Sequence, residues 1–79
     1  MQGTIKRYFL TPKEYNILLL FIHNPNVALY RETIYERVWG EEFEYGTKTV
    51  DLHIQRLRKK VGWEKILKAV NKVGYRLEV

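Results

Sequence analysis

Apolar positions change period along this chain, and the changes mark its elements. Between Thr47 and Gly62, the residues Val50, Ile54, Leu57 and Val61 recur at helical spacing, which predicts a helix with a narrow apolar stripe. The opposite face carries Lys48, Thr49, Leu52, Gln55, Arg56 and Lys59. Thr47 is placed to cap the start of this helix and Gly62 to end it. A stripe that buries in a small core, backed by a cationic and hydrogen-bonding face, suits insertion into a nucleic-acid groove.

Upstream, Leu10-Thr11-Pro12-Lys13-Glu14 predicts another helix start. Thr11 is the N-cap, Pro12 takes the first helical position and Glu14 completes a capping box. Leu10 and Tyr15 are spaced for a hydrophobic staple. Tyr15, Leu18, Leu19 and Ile22 are expected to form the apolar face. The helix should stop near His23, because Asn24-Pro25-Asn26 cannot continue it. A shorter helix is expected from about Arg31 to Trp39, with Ile34, Tyr35, Val38 and Trp39 inward and Gly40 at its end. Thr4 to Phe9 holds enough β-formers for one short strand. Trp63 to Lys68 leads into Ala69-Val70, followed by a turn at Asn71-Lys72-Val73-Gly74. Tyr75-Arg76-Leu77-Glu78-Val79 then alternates as a half-buried strand. Tyr75, Leu77 and Val79 are expected to face the core, with Lys72 and Arg76 outward. The order is strand, three helices, then a hairpin, an α+β arrangement.

At 79 residues the sequence has room for one core, so residues 1–79 are expected to form a single domain. The formal charge of +5 favours an anionic partner. Without cysteine, neither a disulfide nor a thiolate zinc site can hold the fold. The longest apolar run, Ile17 to Ile22, is too short to span a bilayer, and the N-terminus lacks signal-peptide order. A cytoplasmic protein with no membrane association is therefore expected. Enzyme chemistry finds no constellation. Glu41, Glu42 and Glu44 have no pocket-forming sequence around them, and His23 and His53 lack ligand spacing. No metal, catalytic residue or cofactor is expected.

Three helices followed by a hairpin is the order of a winged helix-turn-helix. Leu10-Thr11-Pro12-Lys13-Glu14-Tyr15 opens the first helix, Arg31-Glu32 opens the second, and Val38-Trp39-Gly40 closes it. Thr49-Val50-Asp51-Leu52-His53-Ile54, Arg56-Leu57-Arg58-Lys59-Lys60 and Val73-Gly74-Tyr75-Arg76-Leu77 follow in order. On these residues the chain resembles the C-terminal DNA-binding domain of OmpR/PhoB-type response regulators. The resemblance implies the effector domain of a bacterial two-component transcription regulator that binds double-stranded DNA sequence-specifically. It puts the third helix in the major groove and the hairpin wing in the minor groove. It also implies RNA polymerase contacts through the loop here containing Glu41, Glu42, Phe43, Glu44 and Tyr45, and tandem self-association on DNA. Where the family opens with a four-stranded sheet, this chain has room for one short strand, so that sheet is expected to be largely absent and an edge of the wing unpaired. No phosphoacceptor receiver domain is expected within residues 1–79, so any phosphorylation switch is expected to lie outside them. Asn71-Lys72 stands where the family usually has Arg-Gly, and Gln55 where it often has a basic residue. Asn71 tolerates the left-handed angles such a turn needs.

On the third helix, Lys48, Arg56 and Lys59 are candidates for phosphates or base edges. Gln55 suits adenine, and Thr49 a phosphate or a methyl. Leu52 is either a partner for a thymine methyl or a lone exposed leucine. His53 lies at the boundary of the two faces, within reach of a phosphate. Asp51 and Arg58 share a flank, as an ion pair or as contacts to a neighbouring protein. On the wing, Arg76 is the first candidate for the minor groove, with Lys72 beside it as a point charge. The acidic loop is either polymerase-facing or simply solvated. From another class, a winged helix used as a protein-interaction module would lack sequence-specific DNA binding.

Overall fold

The cap of the first helix forms as its residues dictate. In a computed structural model, which describes residues 10–44 and 48–79, α1 runs Pro12–Ile22 from Thr11 in extended geometry. The Thr11 hydroxyl accepts from Glu14 N–H at 3.2 Å, and Glu14 Oε1 accepts from Thr11 N–H at 3.0 Å. Two backbone donors that a helix start leaves open are thereby satisfied. The buried face of α1 is Glu14, Ile17, Leu18 and Phe21. This corrects the expected Tyr15/Leu18/Leu19/Ile22 face: Tyr15 and Ile22 are exposed. An unbroken apolar run carries no period, and a buried glutamate masks the true stripe.

β1 is Leu29–Tyr30 and leads directly into α2, Arg31–Trp39. α2 buries Ile34, while Tyr35, Val38 and Trp39 pack half-buried against the core. α3 spans Thr49–Val61 and buries Val50, Ile54 and Leu57. Lys48, not Thr47, occupies its N-cap position, and no side chain bonds there. Gly40 and Gly62 end α2 and α3 with φ of 73° and 72°, angles that glycine adopts without a Cβ penalty. The expected strand at Thr4–Phe9, together with Tyr45 and Thr47, lies outside the described residues.

β2, Leu67–Val70, and β3, Gly74–Leu77, form the wing. The three strands are antiparallel in the order β1-β3-β2. β3 is therefore central, flanked by β1 on one side and β2 on the other, and the outer edge of β2 pairs with no other described strand. Leu29 lies opposite Tyr75, and Tyr30 opposite Gly74. Gly74 is required at this close approach: a Cβ there would sit 2.1 Å from Leu29 O and 3.0 Å from Arg31 N. Leu67, Tyr75 and Leu77 turn inward to meet Ile17, Phe21, Ile34, Ile54 and Leu57 in one core. Val79 is 77% exposed rather than inward; its N–H instead bonds Asn26 Oδ1 at 3.0 Å. At the wing turn, Val73 N–H bonds Val70 O at 3.0 Å. The left-handed residue of this turn is Lys72, with φ 64°, and not Asn71.

Candidate nucleic-acid interface

Burial of Val50, Ile54 and Leu57 fixes the rotation of α3 about its axis. Lys48, Leu52, Gln55, Arg56 and Lys59 consequently project into solvent, and Thr49 lies half-buried at the helix start. Leu52 is 54% exposed in the middle of this polar face. His53 turns partly inward. Its Nδ1 lies 2.9 Å from Thr49 O, and its ring meets Trp39 edge-on at 5.0 Å.

Two ion pairs hold α3 to other elements. Lys60 Nζ donates to the buried Glu14 Oε1 at 2.8 Å, which ties the end of α3 to the start of α1. Burial pushes the Glu14 carboxyl up, but Lys60 and the Thr11 N–H outweigh it and hold the group below its ordinary range. Asp51 Oδ1 accepts from Arg31 Nε at 2.9 Å and from the Tyr75 hydroxyl. Desolvation raises the Asp51 carboxyl, yet the bonds from Tyr75 and Arg31 leave it lowered. The same burial and the same carboxylate push the Tyr75 phenol up to about 12. Asp51 thus joins α3 to α2 and β3 and is not paired with Arg58, since seven residues along a helix separate two side chains beyond bonding reach. Arg58 instead donates to Gln55 Oε1 at 3.3 Å and to Glu64 O at 2.7 Å.

On the wing, Lys72 lies exposed at the turn. Arg76 is half-buried and donates to Glu78 Oε2 from Nε at 3.1 Å and from Nη2 at 2.7 Å. Lys68 Nζ lies 3.1 Å from Glu78 Oε1. Lys68 and Glu78 were not among the expected site residues. The hairpin pairs about Lys72, through the three-residue loop Asn71-Lys72-Val73, and this register places Lys68 opposite Arg76.

The loop after α2 leaves Glu41, Glu42 and Glu44 exposed. Phe43 turns back, meeting Tyr35 edge-on at 5.6 Å. Tyr35 stacks on Trp39 at 4.9 Å, and Lys13 Nζ lies 5.5 Å from the Trp39 ring centroid. One aromatic stack therefore supports both the loop and His53 of α3. No group of His, Asp and Glu among the described residues could hold a metal ion. No helix among them is long and apolar enough to cross a membrane.

Residues 6–77 match the family model described as transcriptional regulatory protein, C terminal. The chain belongs to this family. It is an OmpR/PhoB-type response-regulator C-terminal domain with a winged-helix fold, of a family of transcription regulators and not of enzymes. The regulatory protein VanRB of Enterococcus faecalis is 46% identical over 69 residues, which cover 87% of this chain and 31% of VanRB. The chain thus spans about a third of the length of the curated relatives it matches. The DNA-binding domain of Bacillus subtilis CssR is 40% identical, with a TM-score of 0.74 over 86% of this chain and 76% of that one. The DNA-binding domain of response regulator AdeR, solved in complex with an intercistronic region, is 33% identical with a TM-score of 0.76, covering 89% and 72%. In this OmpR/PhoB-type domain, α3 is the third helix of the winged-helix fold and β2–β3 its wing.

Proposed function

We propose that residues 1–79 act as one sequence-specific double-stranded DNA-binding unit, the effector domain of a cytoplasmic two-component transcription regulator. The observation that carries this reading is the exposed face of α3. Lys48, Gln55, Arg56 and Lys59 project around Leu52 from a helix held rigidly on its opposite side. A major groove admits such a helix, and these side chains suit guanine, adenine, phosphate and the thymine methyl. Lys72 and Arg76 of the wing are assigned to the adjacent minor groove, where narrow A·T-rich DNA concentrates negative potential. His53 is assigned a supporting place, its ring being braced by Trp39. The DNA complex of the AdeR domain supports the duplex as partner. From the resemblance, the acidic loop is assigned to RNA polymerase contact, and tandem copies to neighbouring half-sites.

Selection of bound oligonucleotides from a random duplex pool tests this reading. Enrichment of one motif, repeated at a fixed spacing, is the expected outcome. Recovery of an unbiased pool with little dependence on salt would favour a protein-interaction module instead.

A further inference from the structure

The wing carries an anion-binding fork that already holds an anion of its own. Lys68 and Arg76 are direct cross-strand partners. Facing pairs of an antiparallel ladder project from the same side of the sheet, and that side is opposite the inward-turned Tyr75 and Leu77. Glu78, two residues beyond Arg76, lies on the same side. Its two oxygens divide the fork: Oε2 takes both Arg76 donors and Oε1 takes Lys68. Two cations converging on two oxygens of one group is the geometry that also receives a phosphodiester. All three side chains remain partly in water, with relative exposures of 53% for Lys68, 41% for Arg76 and 33% for Glu78. An incoming anion therefore does not have to open a core to displace the carboxylate.

We propose that Lys68 and Arg76 form a DNA-phosphate site on the wing, and that Glu78 occupies this site as an internal competitor until the duplex displaces it. The proposal rests on the reading of the wing as DNA-facing and adds Lys68 as a contact and Glu78 as an antagonist. Competition from within the chain lowers apparent affinity by the fraction of protein in which the fork is closed. An ion pair between exposed groups weakens as salt rises, so the penalty is largest at low ionic strength.

Fluorescence anisotropy of a labelled random-sequence duplex, titrated with this chain, tests the proposal. Phosphate contacts need no particular base sequence. Glu78→Gln is expected to tighten binding roughly two- to fivefold at low salt, with the gain shrinking as salt rises. Glu36→Gln removes the same charge from an exposed position of α2 and is expected to do less. In a Lys68→Ala or an Arg76→Ala background the gain from Glu78→Gln should shrink, and with both cations removed it should largely vanish, a coupling that a general charge effect does not produce. Equal gains from Glu78→Gln and Glu36→Gln, or an undiminished gain without Lys68, would overturn the proposal. Failure of the wing reading looks different: Arg76→Ala and Lys72→Ala would then leave duplex affinity unchanged even with Glu78→Gln present. Circular dichroism melts confirm that each variant is folded.

Discussion

Asp51 of α3 and Tyr75 of the central wing strand are joined by a hydrogen bond from the phenol to Oδ1. The Arg31 guanidinium completes the junction, donating to the same oxygen and lying 5.2 Å from the Tyr75 ring centroid. Helix and wing are thereby fastened at a point away from the exposed face of α3. Tyr75→Phe keeps the buried ring and removes the donor, so it should cost about 1–3 kcal/mol, because the half-buried Asp51 loses a partner. Urea unfolding should show a lower midpoint at unchanged m-value. The phenol titrates near 10 when unfolded and about 12 when folded. Its contribution is therefore complete below pH 10 and lost as pH rises towards 12. The stability difference between the wild-type chain and Tyr75→Phe should shrink across that window.

Acid should act through the carboxylates of both ties. Glu14 and Asp51 both titrate below their ordinary values of 4.5 and 3.8 when folded. The unfolded chain then binds more protons than the folded one. Their contribution is full above about pH 5 and is lost as pH falls through those values towards the lower folded ones. Lys60→Met leaves the Glu14 carboxylate buried without its cation and should cost about 1–3 kcal/mol at neutral pH. In that variant Glu14 loses the cation that lowers it and keeps the Thr11 N–H, so thermal melts should show a shallower fall in stability on acidification.

Lys72 adopts a left-handed conformation that a side chain disfavours by about 1–2 kcal/mol. Lys72→Gly relieves it, less the greater freedom that glycine loses on folding. A gain of about 0.5–1 kcal/mol in unfolding free energy is expected. Duplex affinity should fall in the same variant through loss of a wing-tip charge. Stability and binding moving together would speak against a DNA role for Lys72.

The two faces of α3 should separate cleanly by mutation. Ile54→Ala removes a fully buried side chain and should cost about 2–5 kcal/mol of stability. Arg56→Ala alters only the exposed face and should leave the melting temperature nearly unchanged. Under the proposed reading, it should weaken binding to the selected sequence by about 1–3 kcal/mol and relax preference at one base pair. Gel-shift titrations beside thermal melts give both numbers.

Helix boundaries were legible wherever the responsible interaction is local. Thr11, Pro12 and Glu14 lie within one turn, and Gly62 ends α3 by its own backbone freedom. The periodic stripe of Val50, Ile54 and Leu57 likewise predicted the face of α3 that packs. What escaped depends on neighbours distant in sequence. Glu14 is buried because Lys60 reaches it from another helix. Leu29–Tyr30 is too short to show alternation and exists as a strand because β3 offers it a ladder. Asp51 found its partners on α2 and β3, which a helical projection of α3 alone does not contain. Val79 lies beyond the end of β3, with its N–H bonded to Asn26 Oδ1, a partner distant in sequence. The candidate DNA-facing residues of α3 were readable from spacing. Glu78 across the wing was not, since its significance appears only once the hairpin register is known.

Gly74 lets the backbone of Leu29 lie against β3, which makes one strand of the wing the centre of a three-stranded sheet rather than the edge of an appendage. A hairpin hinged only at its base could swing to follow a groove. This one is braced from behind, and its inner face is cemented to α3 through Tyr75. On the proposed reading, the separation between what the helix touches and what the hairpin touches is set before any duplex arrives. The molecule works as a fixed-jaw gauge, and the burden of fitting falls on the DNA, so base pairs that neither jaw touches would still be selected for how readily they bend.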